Sequence, residues 1–164
     1  MASLRDLRRR IKSIKSTQQI TKAMKAVSAA KMRKAQDSVL SARPYSKRIK
    51  GVLGRVAVAS SGVSHPLLAV REPKKIAYII MTADRGLCGG FNGNVIRSAT
   101  QEIKKVTTDL NLITVGRKSR DFFQRRGFKI AKQYVGLGED IKYGTARDIA
   151  SFVIEKYSAE EYDE

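Results

Sequence analysis

The sequence predicts an α/β protein: a long N-terminal coiled-coil helix, then a three-layer, Rossmann-like domain with a parallel sheet. Three observations carry this. Between Met1 and Ala42 there is neither Gly nor Pro, and apolar residues recur at helical spacing. From Ser3 to about Val58 sixteen Lys/Arg face two acids, Asp6 and Asp37, so this stretch holds +14 of the total net charge of +18. Beyond residue 75, strand-length apolar runs alternate with helical patterns, which implies right-handed crossovers and parallel strands. The expected division is a basic helix over 1–60, a linker over 61–74 and an α/β domain over 75–164.

A helix of some 58 residues extends roughly 85 Å at ~1.5 Å per residue, far beyond the width of a small domain. Leu4, Leu7, Ile11 and Ile14 follow the 3-4-3 spacing of a coiled-coil seam. The next seam places, Gln18 and Thr21, are polar. Apolar residues resume at Ile20, Met24 and Val27, so the register slips near Thr17, as at a stutter. Pro44 predicts a kink or a restart, because Tyr45, Ile49, Val52, Leu53 and Val56 return to helical spacing. Ser60-Ser61-Gly62 marks the end.

The following elements read in order. Ile76 to Ala83 is a buried strand closed by the Gly-rich turn Asp84 to Gly90. Asn92 to Thr107 is a helix with Val95, Ile96, Ala99 and Ile103 on one face. Leu110 to Val115 is a second strand, and Gly116 opens a short helix through Phe122 and Phe123 that Gly127 stops. Phe128 to Val135 is a third strand, interrupted by Lys129, Lys132 and Gln133. Thr145 is the expected N-cap of a helix carrying Ile149, Phe152, Val153 and Tyr157.

Cys88 is the single cysteine, which rules out an internal disulfide and fits a reducing compartment. No apolar run approaches the ~18 residues needed to span a bilayer. The charged N-terminus lacks the apolar segment of a secretory signal. The expected location is therefore cytoplasmic.

The turn Asp84-Arg85-Gly86-Leu87-Cys88-Gly89-Gly90 follows a strand and opens a helix, the position of many phosphate sites. Its spelling fits neither phosphate motif. No Lys follows the glycines before Lys104, as a P-loop requires, and Gly86, Gly89, Gly90 and Gly93 do not space as Gly-x-Gly-x-x-Gly. Gly136-Leu137-Gly138 starts that fingerprint, but Ile141 stands where its last glycine belongs. The glycines are therefore read as structural, for positive φ or close backbone approach. His65, the only histidine, reads as an exposed loop residue before Pro66, and Cys88 has no second cysteine or base beside it. Glu102 and Asp109 lie a helix apart with no partner in view. Nothing in this pattern is catalytic, and no metal or cofactor is implied. A small nucleotide-binding α/β protein using the 84–93 turn stands as a minor alternative.

The basic helix admits two further readings, a merely solvated face and a nucleic-acid-binding coiled coil. The clusters Arg8-Arg9-Arg10, Lys31-Arg33-Lys34 and Lys47-Arg48-Lys50 wrap around the helix, and no aromatic residue precedes Tyr45 to stack on a base.

Two blocks of residues carry a resemblance. Ser16-Thr17-Gln18-Gln19-Ile20-Thr21-Lys22-Ala23-Met24-Lys25 with Ala30-Lys31-Met32-Arg33-Lys34-Ala35-Gln36, and then Thr82 through Asn92, resemble the gamma subunits of F-type ATP synthases; Arg43-Pro44-Tyr45 is similar as well. The resemblance covers essentially the whole chain and looks like a bacterial version with no leader.

It implies a rotary shaft that couples proton flow to ATP synthesis or hydrolysis without holding a nucleotide itself. The implied partners are the alpha and beta subunits of the catalytic ring, the epsilon subunit and the ring of c subunits, at the cytoplasmic face of the cell membrane. There would be no nucleic acid and no direct membrane insertion. Lys22, Met24, Lys25, Arg33 and Lys34 are the expected coupling contacts, and Leu4, Leu7, Ile11, Ile14, Ile20 and Val27 the seam. Asp84, Arg85, Gly86, Gly89 and Gly90 are the structural turn. The family continues on the order of a hundred residues further, so Ser158 to Glu164, with no stop signal, reads as a mid-domain truncation that removes the partner helix and leaves the three-layer α/β domain incomplete.

Overall fold

The computed structural model describes residues 3–59, 62, 64–138 and 143–164. They form two compact units, residues 1–62 and 63–164.

The first unit is one helix, α1 (Leu4–Ala59), which buries no residue. Ser3 starts it: its hydroxyl accepts from the N–H of Arg5, its own N–H donates to the Asp6 carboxylate at 3.2 Å, and its carbonyl accepts from Asp6 and Leu7. This is a reciprocal capping box, with Asp6 also favourably placed against the helix dipole. Of the kink or restart expected at Pro44, there is no restart, for α1 runs through it as one helix. Proline removes the N–H that the Leu40 carbonyl would accept. At an exposed position, however, water can take its place. Of the expected stop, Ser60 and Ser61 lie outside the described residues, and Gly62 has φ +111°.

The second unit is built on three strands, β1 (Lys75–Met81), β2 (Asp109–Val115) and β3 (Ile130–Tyr134), in the order β1-β2-β3 with both pairings parallel. Helices α2 (Phe91–Ile103), α3 (Arg117–Gln124) and α4 (Tyr143–Ser158) make the connections and the chain's last helix. Leu112, Ile113 and Thr114 of the central strand are wholly buried. Register places Tyr78 beside Leu112 and Ile80 beside Thr114. On that face Ile80, Leu112, Ile103 and Phe123 form the core, with Val95, Ile96, Ala99 and Phe128 packed against it. Phe123 sits edge-on to both Phe122 and Phe128, with centroids 5.1 and 5.3 Å away. Each such buried side chain stabilises by about 1.5–3 kcal/mol relative to exposure. The Thr114 hydroxyl is buried here without a hydrogen-bond partner.

Several boundaries differ from the sequence reading. α2 ends at Ile103, four residues before Thr107, where two β-branched threonines disfavour helix. β3 is shorter than 128–135 and irregular in register between Leu112 and Ile113. Lysines on a sheet edge are a known guard against strand addition, which accounts for Lys132 within it. Thr145 is the third residue of α4 rather than its cap; residues 139–142 lie outside the described set. The expected linker contains a 3₁₀ turn, Pro66–Leu68, which the imidazole of His65 caps by accepting from the N–H of Leu67 at 3.2 Å. His65 is thus more than a bystander of the loop.

The segment after α4 is packed rather than loose. Tyr162 is buried. The N–H of Asp163 donates to Lys75 and that of Ala77 to Glu164, both at 2.8 Å, along the outer edge of β1. The Asp163 carboxylate accepts from the N–H groups of Lys74 and Lys75 and pairs with Arg71 at 3.7 Å. Arg71 donates to the Tyr157 carbonyl and lies over the Tyr157 ring, while the Tyr157 hydroxyl donates to Ala69 at 2.7 Å. This clamp joins residues 69–75 to the end of α4.

Candidate functional site

All the expected coupling and seam residues lie on α1, and the helix geometry decides which of them share a face. At about 100° per residue, Leu4, Leu7, Ile11 and Ile14 fall within about 80° of one another. The six-residue step from Ile14 to Ile20 turns by about 240°. Ile20, Met24 and Val27 therefore form a second stripe on nearly the opposite side. A single straight partner cannot cover both. Lys22, Lys25 and Arg33 share one flank, within about 80°, whereas Met24 stands about 160° from Lys22. The five coupling residues thus surround the helix instead of forming one patch.

The seam side chains are 49–69% exposed, and Met24 is 50% exposed. Where the seam turns polar, the hydroxyls are satisfied within the helix. Thr17 donates to Ser13, and Thr21 to Thr17 and Gln18, all at 3.0 Å. Such back-bonding disfavours helix slightly but leaves no orphan donor on the surface.

The glycine-rich turn is organised by side chains on either side of its glycines. The Asn92 carboxamide accepts from the N–H of Ala83 at 2.9 Å and donates to the Cys88 sulfur and the Arg85 carbonyl. Arg85 and Cys88 are themselves exposed. Gly89 has φ +57°, and the neighbouring Leu87 adopts φ +61°. Gly86 and Gly90 do not need positive φ, and Gly90 is the N-terminal cap of α2. Positive φ is thus confined to Gly89 among the turn's glycines, while a Cβ at Gly90 would stand 3.3 Å from the Asn94 carboxamide nitrogen.

Asp84 is the centre of this site. One carboxylate oxygen accepts from the N–H of Arg117 at the start of α3 (2.9 Å), the other from the N–H of Leu137 in the loop after β3 (3.0 Å). Burial pushes its carboxyl upward, but the bonds from the Gly136, Arg117 and Leu137 backbones and the Arg117 charge outweigh burial, and the net shift is downward. Backbone N–H groups just beyond the ends of β2 and β3 are thus bound by the chain's own carboxylate. Beside it, the Thr82 hydroxyl meets Ser119 at 2.9 Å and accepts from the Ser119 N–H at 2.8 Å. This close seating requires Gly116, with φ +93°, because a Cβ there would stand 2.0 Å from the Thr82 carbonyl oxygen. Sequence reasoning used Gly116 only as a helix opener and missed Asp84 as a tie between three strand ends.

Among the described residues no group of three or more His, Cys, Asp or Glu is placed to hold a metal, and no helix is long and apolar enough to cross a membrane. Glu102 forms an exposed ion pair with Lys105 at 2.8 Å.

A sequence profile described as ATP synthase matches residues 3–164. The chain belongs to the ATP synthase family. Among curated relatives, the ATP synthase gamma chain of Pelotomaculum thermopropionicum is 83% identical over 163 residues, covering 99% of this chain and 57% of that one. The gamma chain of Desulforamulus reducens is 62% identical over 164 residues, covering 100% and 58%. The chain thus spans just under three fifths of the length of these relatives. Among solved structures, the central stalk and c-ring of the Tetrahymena thermophila mitochondrial ATP synthase contains a chain with TM-score 0.64 and 25% identity, covering 82% of this chain and 58% of that one. A chain of the Euglena gracilis mitochondrial ATP synthase gives TM-score 0.60 at 18% identity, covering 92% and 48%, and shows the shared fold alone. These matches give no support to the nucleic-acid and small-enzyme readings.

Proposed function

We propose that this chain acts as the non-catalytic central-stalk rotor of an F-type ATP synthase, coupling proton flow to ATP synthesis or hydrolysis. The observation that carries the reading is α1: 56 residues of basic helix whose apolar stripes no part of its own unit covers. In this reading residues 1–60 are the shaft, 61–74 a linker and 75–164 part of an α/β domain. The alpha and beta subunits surround the shaft, and their acidic surfaces meet its Lys and Arg, which favours register and approach more than affinity. The epsilon subunit and the c-subunit ring meet the α/β unit at the cytoplasmic face of the cell membrane. No nucleotide, nucleic acid or metal is bound in this role, and the chain does not enter the bilayer.

Met24, with Lys22, Lys25, Arg33 and Lys34, is the proposed contact with the catalytic ring. Met24→Lys in the assembled enzyme tests it. A cation placed in the second apolar stripe meets a surface chosen for an apolar one, so ATP-driven proton pumping is lost while hydrolysis continues. Copurification with the alpha and beta subunits checks assembly. Full coupling in an assembled Met24→Lys enzyme refutes the role of Met24, and failure of the unaltered chain to travel with those subunits refutes the rotor reading.

A further inference from the structure

On the side of the sheet opposite the Phe123 core, the beginnings of the strands border a groove of about 490 Å³. At its floor lies Asn111 of the central strand, 5% exposed. Its carboxamide faces the groove and hydrogen-bonds to no side chain or backbone group among the described residues. Four lysines and two acids, Asp109 and Glu161, line the groove, for a net charge of +2. Two of the lysines are engaged: Lys156 bonds both oxygens of Glu161, at 2.9 and 2.8 Å, and Lys75 donates to the Glu160 carbonyl. Lys129 and Lys132 form no ion pair among the described residues. The Phe152 ring nevertheless draws Lys132 inward, with its ammonium 5.4 Å from the centroid and that of Lys156 at 5.9 Å.

Two ammonium groups without an ion-pair partner among the described residues, beside an amide whose N–H bonds face the groove, suit an oxygen-rich anion. A net charge of +2 matches a phosphate better than a single carboxylate. With Lys132 and Lys156 gathered about the aromatic wall, the groove suits an ion more than a stacked ring. We propose that this groove binds a phosphate-class oxyanion, with Lys129 and Lys132 supplying the charge and the Asn111 amide orienting an oxygen. The site is separate from the Asp84 turn and does not rest on the rotor reading. The phosphate is borne by a free solute or by a lipid headgroup.

The test is a titration of the ¹⁵N-labelled full chain at constant ionic strength, following the Asn111 side-chain amide by NMR. Inorganic phosphate and pyrophosphate are the free probes; phosphatidylcholine vesicles with and without phosphatidic acid are the lipid probe. The expected result is a saturable shift of the Asn111 amide. Losing one charge-assisted contact weakens binding roughly tenfold or more in Lys129→Gln and Lys132→Gln. Lys104→Gln, at the far end of α2, leaves it unchanged. Saturation by the free anions assigns a solute, and a response confined to phosphatidic acid vesicles assigns a headgroup. Asn111→Leu removes the reporting amide, so the backbone N–H signals of Lys129 and Lys132 are followed in it instead, and binding weakens there too where the variant folds; the two lysine variants decide the matter where it does not. A shift that grows linearly without saturation, or that survives both lysine substitutions, overturns the proposal.

Discussion

Leu4, Leu7, Ile11 and Ile14 of α1 are 49–69% exposed, whereas Leu112, Ile113 and Phe123 of the α/β unit are wholly buried. Both sets follow regular spacing in the sequence, and only the second has something of its own unit to pack against. The difference separates two sources of order. α1 holds together by length, alanine content, a capping box and local hydroxyl bonds, all of which act within a few residues. The α/β unit depends on contacts between distant elements, so its residues respond sharply to substitution.

Gly116→Ala offers the largest expected break. The new Cβ would meet the Thr82 backbone and also force a non-glycine residue to φ +93°. A loss of more than about 4 kcal/mol is expected in urea unfolding of the α/β unit, a size reserved for backbone conflicts of this kind. Gly127→Ala is the control: φ is +75° but nothing lies within 4 Å, so only conformational strain of about 1–2 kcal/mol remains. Equal losses at the two positions would remove close packing as the explanation.

Asp84→Ala comes next. It strands the N–H groups of Arg117 and Leu137 and should cost about 2 kcal/mol near neutral pH. Because the folded-state pKa is depressed, this contribution is present above the unfolded value and lost as pH falls below about 4. Unfolding curves of both proteins should therefore converge in acid. A gap that stays constant down to pH 2 would show that the carboxylate's charge is not what ties the strand ends.

Thr114→Val acts in the opposite direction. It replaces the buried, unpartnered hydroxyl with a methyl group while keeping the β-branched shape, and should raise stability by about 1 kcal/mol. Destabilisation would reveal a hydrogen bond at that oxygen. The smallest effect belongs to α1: Ile11→Ala, 53% exposed in the wild type, should shift unfolding of the chain by under about 0.5 kcal/mol. A shift as large as those in the α/β unit would mean that the first apolar stripe is packed in solution. Light scattering across a salt series would then show whether a second copy covers it, since salt relaxes repulsion among the basic residues.

The sequence made the fold legible because its evidence is periodic and local. Apolar runs at Ile76–Met81 and Leu110–Val115 announce strands, and Val95, Ile96, Ala99 and Ile103 announce a helix face, whatever lies elsewhere. The apolar spacing of α1 was readable in the same way, but its two faces needed the helical turn counted through the step from Ile14 to Ile20. Ser3 and Asp6 carried a readable capping pattern that went unused. Asp84 was not legible as a tie, because its partners stand 33 and 53 residues away and are backbone groups that leave no mark in composition. The groove around Asn111 was hidden for a related reason. Its residues come from all three strands, α4 and the tail, and each alone resembles an ordinary solvated lysine or an interrupted strand.

Thr17 and Thr21 interrupt the apolar seam, yet their hydroxyls are closed onto carbonyls of their own helix. Ser38 and Ser41 repeat the arrangement further along, donating to Lys34 and Ser38. A neighbouring surface sliding past these positions would meet methyl and methylene groups and find no hydroxyl hydrogen that must be handed over. Directional bonds make notches in a sliding contact, each a small barrier to be broken and re-formed. Hydroxyls that keep their bonds to themselves add no such notches at these four positions.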